Sequence, residues 1–103
     1  MKNKRDKFRE SVLKRDNNLC KICGVSGKID AHHIMDRNYF PNGGYILSNG
    51  IALCDSPHGC HWKAEHYHRT NAQEVIQGYS PYDLYLLINS SFELAIKDDQ
   101  ENL

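Results

Sequence analysis

The stretch DAHHIMDR, residues 30–37, decides how the rest of the chain is read. It sets two histidines, His32 and His33, side by side at the end of an expected short strand, Ile29 to Ile34. Neighbours on a strand point to opposite faces, so a buried pair needs two separate environments. The plain alternative has one imidazole in the core and one in water. The sharper one is a site that uses two imidazoles for two jobs, such as a metal ligand and a base. The flanking sequence discriminates between them.

Upstream of the pair stands Cys20-x2-Cys23 with Gly24 behind it, and downstream stands Cys54-x5-Cys60. Two cysteine pairs on two turns let four thiolates surround one Zn²⁺, the closed tetrahedron of a structural site. The chain has 103 residues and is 40% apolar, so its core is small; metal binding supplies folding free energy directly. The first pair is a strong knuckle signal. The second exceeds the usual spacing of two to four, and His58 inside it is an alternative ligand. The competing reading is four free thiols or redox pairs. No apolar run is long enough for a membrane span, and the charged N-terminus does not read as a signal peptide. The expected location is therefore the cytoplasm, where thiols stay reduced and favour metal.

Residues 3–16, NKRDKFRESVLKRD, read as a helix with Phe8, Val12 and Leu13 on one apolar stripe, stopped by Asn17 and Asn18. From Met35 to Ser48 the composition is loop-like, with Asn-Gly-Gly at 42–44. Ile51 to Leu53 is the expected return strand, and HWKAEHYHR, free of Gly and Pro, predicts a helix from about Gly59. Ser80, Pro81 and Asp83 form an N-cap, a first-turn proline and a capping box. Leu84, Leu87, Ile88, Phe92 and Ala95 then recur at helical spacing, which reads as core. Asn89-Ser90-Ser91 interrupts that stripe and leaves open a kink or two shorter elements. The last few residues are expected to fray. The organisation is a single α+β domain over 1–103, with its core at about 8–70 and a helical extension at about 80–98.

The zero net charge conceals a gradient: +5 over residues 1–15, zero over 16–70 and −5 over 71–103. Lys4, Arg5, Lys7 and Arg9 make the basic arm a candidate phosphate-binding surface, against the plain reading of a solvated helix face. The acidic tail argues against a chain that coats nucleic acid along its whole length.

All six histidines fall between residues 32 and 68. His58, His66 and His68 have no distinctive setting and read as surface or supporting groups. His61 follows Cys60 at the expected helix start, so a zinc ion that fixes Cys60 also fixes His61. Pairing the two strands and packing that helix beside them brings His32, His33 and His61 together.

The order Cys20-x2-Cys23, His32-His33-Ile34, Asn49 in SNGIALC and Cys60-His61 resembles the HNH nuclease family, the ββα-metal or His-Me finger group. The similarity is to its small phage-type members with a zinc knuckle, and it covers roughly residues 8–68. The departure is the wide Cys54–Cys60 spacing, which bears on the fourth zinc ligand more than on the active site. The resemblance implies a ββα-metal core with a four-cysteine zinc knuckle, between an N-terminal basic helix and a C-terminal helix. It implies DNA as partner, metal-dependent hydrolysis of a phosphodiester, and 5′-phosphate and 3′-hydroxyl ends. The host is then a bacterial or phage-infected cell, and a larger phage or defence assembly is a candidate partner. His32 and His61 would ligate the catalytic cation, Mg²⁺ or Mn²⁺ first, with Ni²⁺ or Zn²⁺ also accepted by two imidazoles. His33 would be the general base. Asn49 would pin the loop backbone, with an ordinary turn Asn as the alternative. Glu65, one helical turn after His61, is a candidate further ligand, and Arg37 a candidate phosphate clamp, each against a plain solvated role. Asp30 is a candidate support for a metal-bound histidine. The reading from a different class is a non-catalytic zinc module that binds nucleic acid or a protein.

Overall fold

The computed structural model describes residues 2–101. The first helix, α1 (Lys4–Arg15), starts where the Asn3 side chain accepts from the Asp6 N–H, and it ends with Lys14 and Arg15 at the negative end of its dipole. Phe8 and Val12 are its buried stripe, with Leu13 partly covered. Asn17 and Asn18 stop it by turning left-handed, at φ 58° and 56°, a conformation asparagine tolerates.

Two strands follow, β1 (Ile29–His33) and β2 (Gly50–Cys54), paired antiparallel with Ile29 opposite Cys54 and His33 opposite Gly50. Every residue of β2 is buried, which requires cover on both faces; α1 and α2 (Cys60–Arg69) both pack on it. The core gathers Phe8, Val12, Ile34, Ile51, Leu53 and Leu84. No helix among the described residues is long and apolar enough to cross a membrane.

The C-terminal extension is two helices where the resemblance implied one. The capping box forms as expected: Ser80 Oγ accepts from the Asp83 N–H, and α3 (Pro81–Leu87) starts there. Asn89 then adopts φ 54°, and Ser91 Oγ accepts from Leu94 N at the start of α4 (Phe92–Glu101). The break turns the apolar stripe: Leu84 and Ala95 are buried, whereas Leu87 and Phe92 are exposed. The expected frayed end falls on residues 102–103, outside the described ones.

The long β1–β2 connection is held by buried polar groups. The fully buried Asp99 on α4 accepts from Asn42 N and Gly44 N, both at 2.8 Å, and Ser48 Oγ donates to Asp98 at 2.7 Å. Gly43 and Gly44 lie at φ 89° and 70°, and the places their side chains would occupy are filled by Tyr45 and by Phe40 with Asn49. Part of the acidic tail is thus internal scaffold: Asp83 caps a helix, and Asp98 and Asp99 hold this loop.

Candidate functional site

Among the described residues two donor clusters lie about the β1–β2–α2 unit, with the adjacent Cys60 and His61 at the start of α2 belonging one to each. The first comprises Cys20, Cys23, Cys54 and Cys60, whose sulfurs all lie within 4.8 Å of one another. Cys23 Sγ and Cys54 Sγ are 3.7 Å apart. Zinc–thiolate bonds of ~2.3 Å at tetrahedral angles put sulfurs about 3.8 Å apart, close to the Cys23–Cys54 spacing, so four thiolates could surround one ion here. Backbone N–H groups of Cys23 and Cys60 point at the sulfurs of Cys20 and Cys54, at 3.5 and 3.3 Å. Burial works to raise the Cys20 thiol, but N–H groups of Cys23, Cys54 and Ile22 outweigh it and bring it down to about 7. Burial and the neighbouring thiols push Cys60 up to about 12, so the fourth thiolate needs a cation among them. The wide second spacing is absorbed by a turn at 55–59: Gly59 N donates to Ser56 O, and His58 sits at φ 59°. His58 does not join the cluster; its ring packs edge-on against Trp62, 4.6 Å between centroids.

The second cluster is His32, His61 and Glu65, one donor atom from each within 4.8 Å. β1 points His32 at α2, where it is fully buried; α2 supplies His61 and Glu65 one turn apart. Glu65 Oε1 lies 3.0 Å from His32 Nδ1 and 3.3 Å from His61 Nε2. His32 Nδ1 nevertheless makes no directed hydrogen bond, and neither does its Nε2. A buried imidazole without a partner is costly, about 1–3 kcal/mol. Close donors that miss one another's hydrogen-bond directions are a group that could hold a metal ion. Contacts with His32 and then His61 hold the Glu65 carboxyl well below its usual range, so it is ionised. Glu65 in turn raises His61, whereas burial lowers His32.

His33 leaves the strand toward α1, where it stacks on Phe8, and at the strand end it also borders a cleft of about 190 Å³ with Asp36, Arg37, Glu65 and His68. Its Nε2 is buried without a partner. Burial, then the charge of His32, brings its pKa down to about 4, so the imidazole is neutral at neutral pH. Arg37 opens a short 3-10 turn (Arg37–Tyr39) at the rim of the cleft. Asn49 is fully buried and uses its whole amide: Oδ1 accepts from Met35 N (3.1 Å) and Tyr85 OH (2.6 Å), and Nδ2 donates to Met35 O (3.1 Å) and Gly44 O (3.3 Å). Its backbone carbonyl also accepts from Ile34 N at 2.9 Å. The chain immediately after His33 is thereby fixed.

Other expected residues are placed apart. Asp30 does not reach His32; it accepts from Ala31 N and faces Arg9 at 3.5 Å. Arg9, though exposed, is engaged by that pair and by the Ile29 carbonyl, while Lys4 and Lys7 border a second cleft, with Phe8, Ser11 and Tyr45. His68, read from the sequence only as a surface or supporting group, borders the His33 cleft, its Nε2 3.1 Å from the Ile34 carbonyl; its position seven residues after His61 puts it on the same helix face. Asp55 stands 3.6 Å from His61 Nδ1, and no local pattern marks it. Comparison with protein-family models, with curated proteins and with solved structures finds no match for this chain.

Proposed function

We propose that the chain is a metal-dependent endonuclease that hydrolyses DNA phosphodiester bonds, built on a ββα-metal core formed by β1, β2 and α2. The observation that carries this reading is the convergence of His32, His61 and Glu65 donors beside a cleft that also holds His33 and Arg37. A cation on those three donors would supply Lewis acidity to the departing 3′ oxygen, with Mg²⁺ or Mn²⁺ the first choices. His33, neutral and bordering the cleft, takes the proton of the attacking water. Arg37, at the cleft rim, binds a non-bridging phosphate oxygen. Asn49 keeps the backbone beyond His33 in place through Met35 and Ile34. Asp55 orients His61 from the side away from Glu65. The four cysteines hold a Zn²⁺ that takes no part in the chemistry.

The test is nicking of supercoiled plasmid by zinc-loaded protein, with Mg²⁺, Mn²⁺, Ni²⁺ and Zn²⁺ each added in turn. Cleavage with at least one ion, abolished by chelation and restored by readdition, is expected. A folded, zinc-loaded protein inert with all of them would leave the competing reading, a zinc-stabilised module that binds without cutting.

A further inference from the structure

On the nuclease reading, His33 must hold one orientation, yet no hydrogen bond at Nε2 sets it. We propose that two aromatic side chains do so, Phe8 from α1 and Tyr45 from the β1–β2 connection, acting as positioning residues for the base. The Phe8 ring stacks on the imidazole, with centroids 4.4 Å apart and planes 30° apart. Tyr45 closes the edge at 4.9 Å and 88°, and the two aromatic rings meet each other at 6.0 Å and 86°. The three rings form one mutually braced set.

The backbone makes room for both. Gly50 is the cross-strand partner of His33, and a Cβ there would meet Phe8 Cε1 and Cζ at 2.7 Å and collide with Val12. Phe8 therefore occupies the slot that a side chain opposite His33 would fill. Gly43 does the same for Tyr45: a Cβ would meet Tyr45 Cε2 at 2.7 Å, and φ is 89°. Two glycines thus yield to two rings around one histidine. The same rings form a wall of the cleft lined by Lys4 and Lys7. A DNA phosphate held by those lysines rests against the clamp, which links substrate binding on α1 to the orientation of the base.

The test uses Phe8→Leu and Tyr45→Leu, which keep apolar bulk and remove the ring, with Tyr45→Phe as the ring-preserving control. Fold and zinc content are checked by circular dichroism and metal analysis; if Phe8→Leu does not fold, Tyr45→Leu, at a half-buried position, carries the test. In the zinc-loaded protein without added cation, the His33 ring resonances should lose their ring-current displacement in each Leu variant. With saturating Mn²⁺ and plasmid, kcat should fall about 10- to 100-fold, the scale of a small misplacement of a reacting group, with KM within about twofold. Tyr45→Phe should restore what Tyr45→Leu loses. Leu variants that cleave at the parental kcat, or that fail only through weaker DNA or Mn²⁺ binding, overturn the clamp and leave the nuclease reading intact. A folded, zinc-loaded parent that stays inert with every divalent ion removes the nuclease reading and this inference with it.

Discussion

Replacing Asn49 probes the link between the β1–β2 connection and the site most directly. Its amide makes four hydrogen bonds, two of them, to Tyr85 OH and Gly44 O, wholly out of reach of water. Asn49→Ala leaves both of those partners unsatisfied at about 1–3 kcal/mol each. The bonds to Met35 N and O are only partly buried, and water can replace them at small cost. The expected loss is about 3–5 kcal/mol, a large share of the total stability of a small domain. Tyr85→Phe removes one of the four bonds and leaves Asn49 Oδ1 with Met35 N, so about 1–2 kcal/mol is expected. The two changes share a contact and should be less than additive. Asn49→Asp separates shape from chemistry: it keeps the acceptors and sets an oxygen against the Met35 and Gly44 carbonyls, so it should destabilise nearly as much as Ala. Urea denaturation of zinc-loaded protein, followed by circular dichroism, measures all three. A loss below about 1 kcal/mol for Asn49→Ala would refute the reasoning, because then the buried amide holds nothing that water cannot hold.

Removing zinc with a strong chelator should unfold most of the chain, since the knuckle joins the ends of β2 and α2; circular dichroism unchanged after complete removal would dismiss the structural role. His33→Ala should lower cleavage about 10²–10⁴-fold while Mn²⁺ still binds, whereas His32→Ala and His61→Ala should weaken Mn²⁺ binding; equal metal loss in all three would show that the roles are shared. Neutralising Lys4 and Lys7 should weaken DNA binding and reduce the slope of log K against log salt by about 0.9 per lost phosphate contact, with Arg9→Gln, already paired to Asp30, having the smaller effect. Burial keeps His32 and His33 below the ordinary imidazole value of 6.5, His33 at about 4, so the unfolded chain takes up protons that the folded chain refuses; stability should fall as pH drops from about 6.5 towards 4, and a flat profile there would refute that burial cost. Glu65, lowered, loses its contribution further into acid, and His61, raised, loses its own as pH climbs past 6.5.

What was legible in the sequence is what local pattern encodes. Asn17-Asn18 as a helix stop, Ser80-Pro81-Asp83 as a helix start and the paired cysteines are each read within a few residues, and each stands where expected. The pairing of His33 with Gly50 was not read, because alternation fixes which face a side chain takes and not the register across a long connection. The division of the C-terminal extension was signalled by Asn89-Ser90-Ser91 but not decided by it, because propensity alone does not fix whether a serine caps a new helix or bends an old one. The charge gradient carries no burial information: a run of acids says nothing about which carboxylates are solvated, and Asp99 is fully buried.

The features that stayed hidden share one physical cause. A small apolar core cannot hold a long connection by apolar contact alone, so this chain holds it with polar side chains that reach from far away in sequence. Asp99 meets Gly44 across 55 positions and Tyr85 meets Asn49 across 36, with no period or motif to announce either. Both clamps converge on the same residue, since Gly44 donates its N–H to Asp99 and lends its carbonyl to Asn49. Asn49 passes the constraint to Met35 and Ile34, and His33 is the next residue back along the chain. The orientation of the histidine pair is therefore coupled to α3 and α4, which contribute no residue to either donor cluster. Loosening α4 at Asp99 should disturb the His33 cleft before it disturbs the cysteines, because the knuckle is tied down by its own N–H···S contacts and the cleft is not.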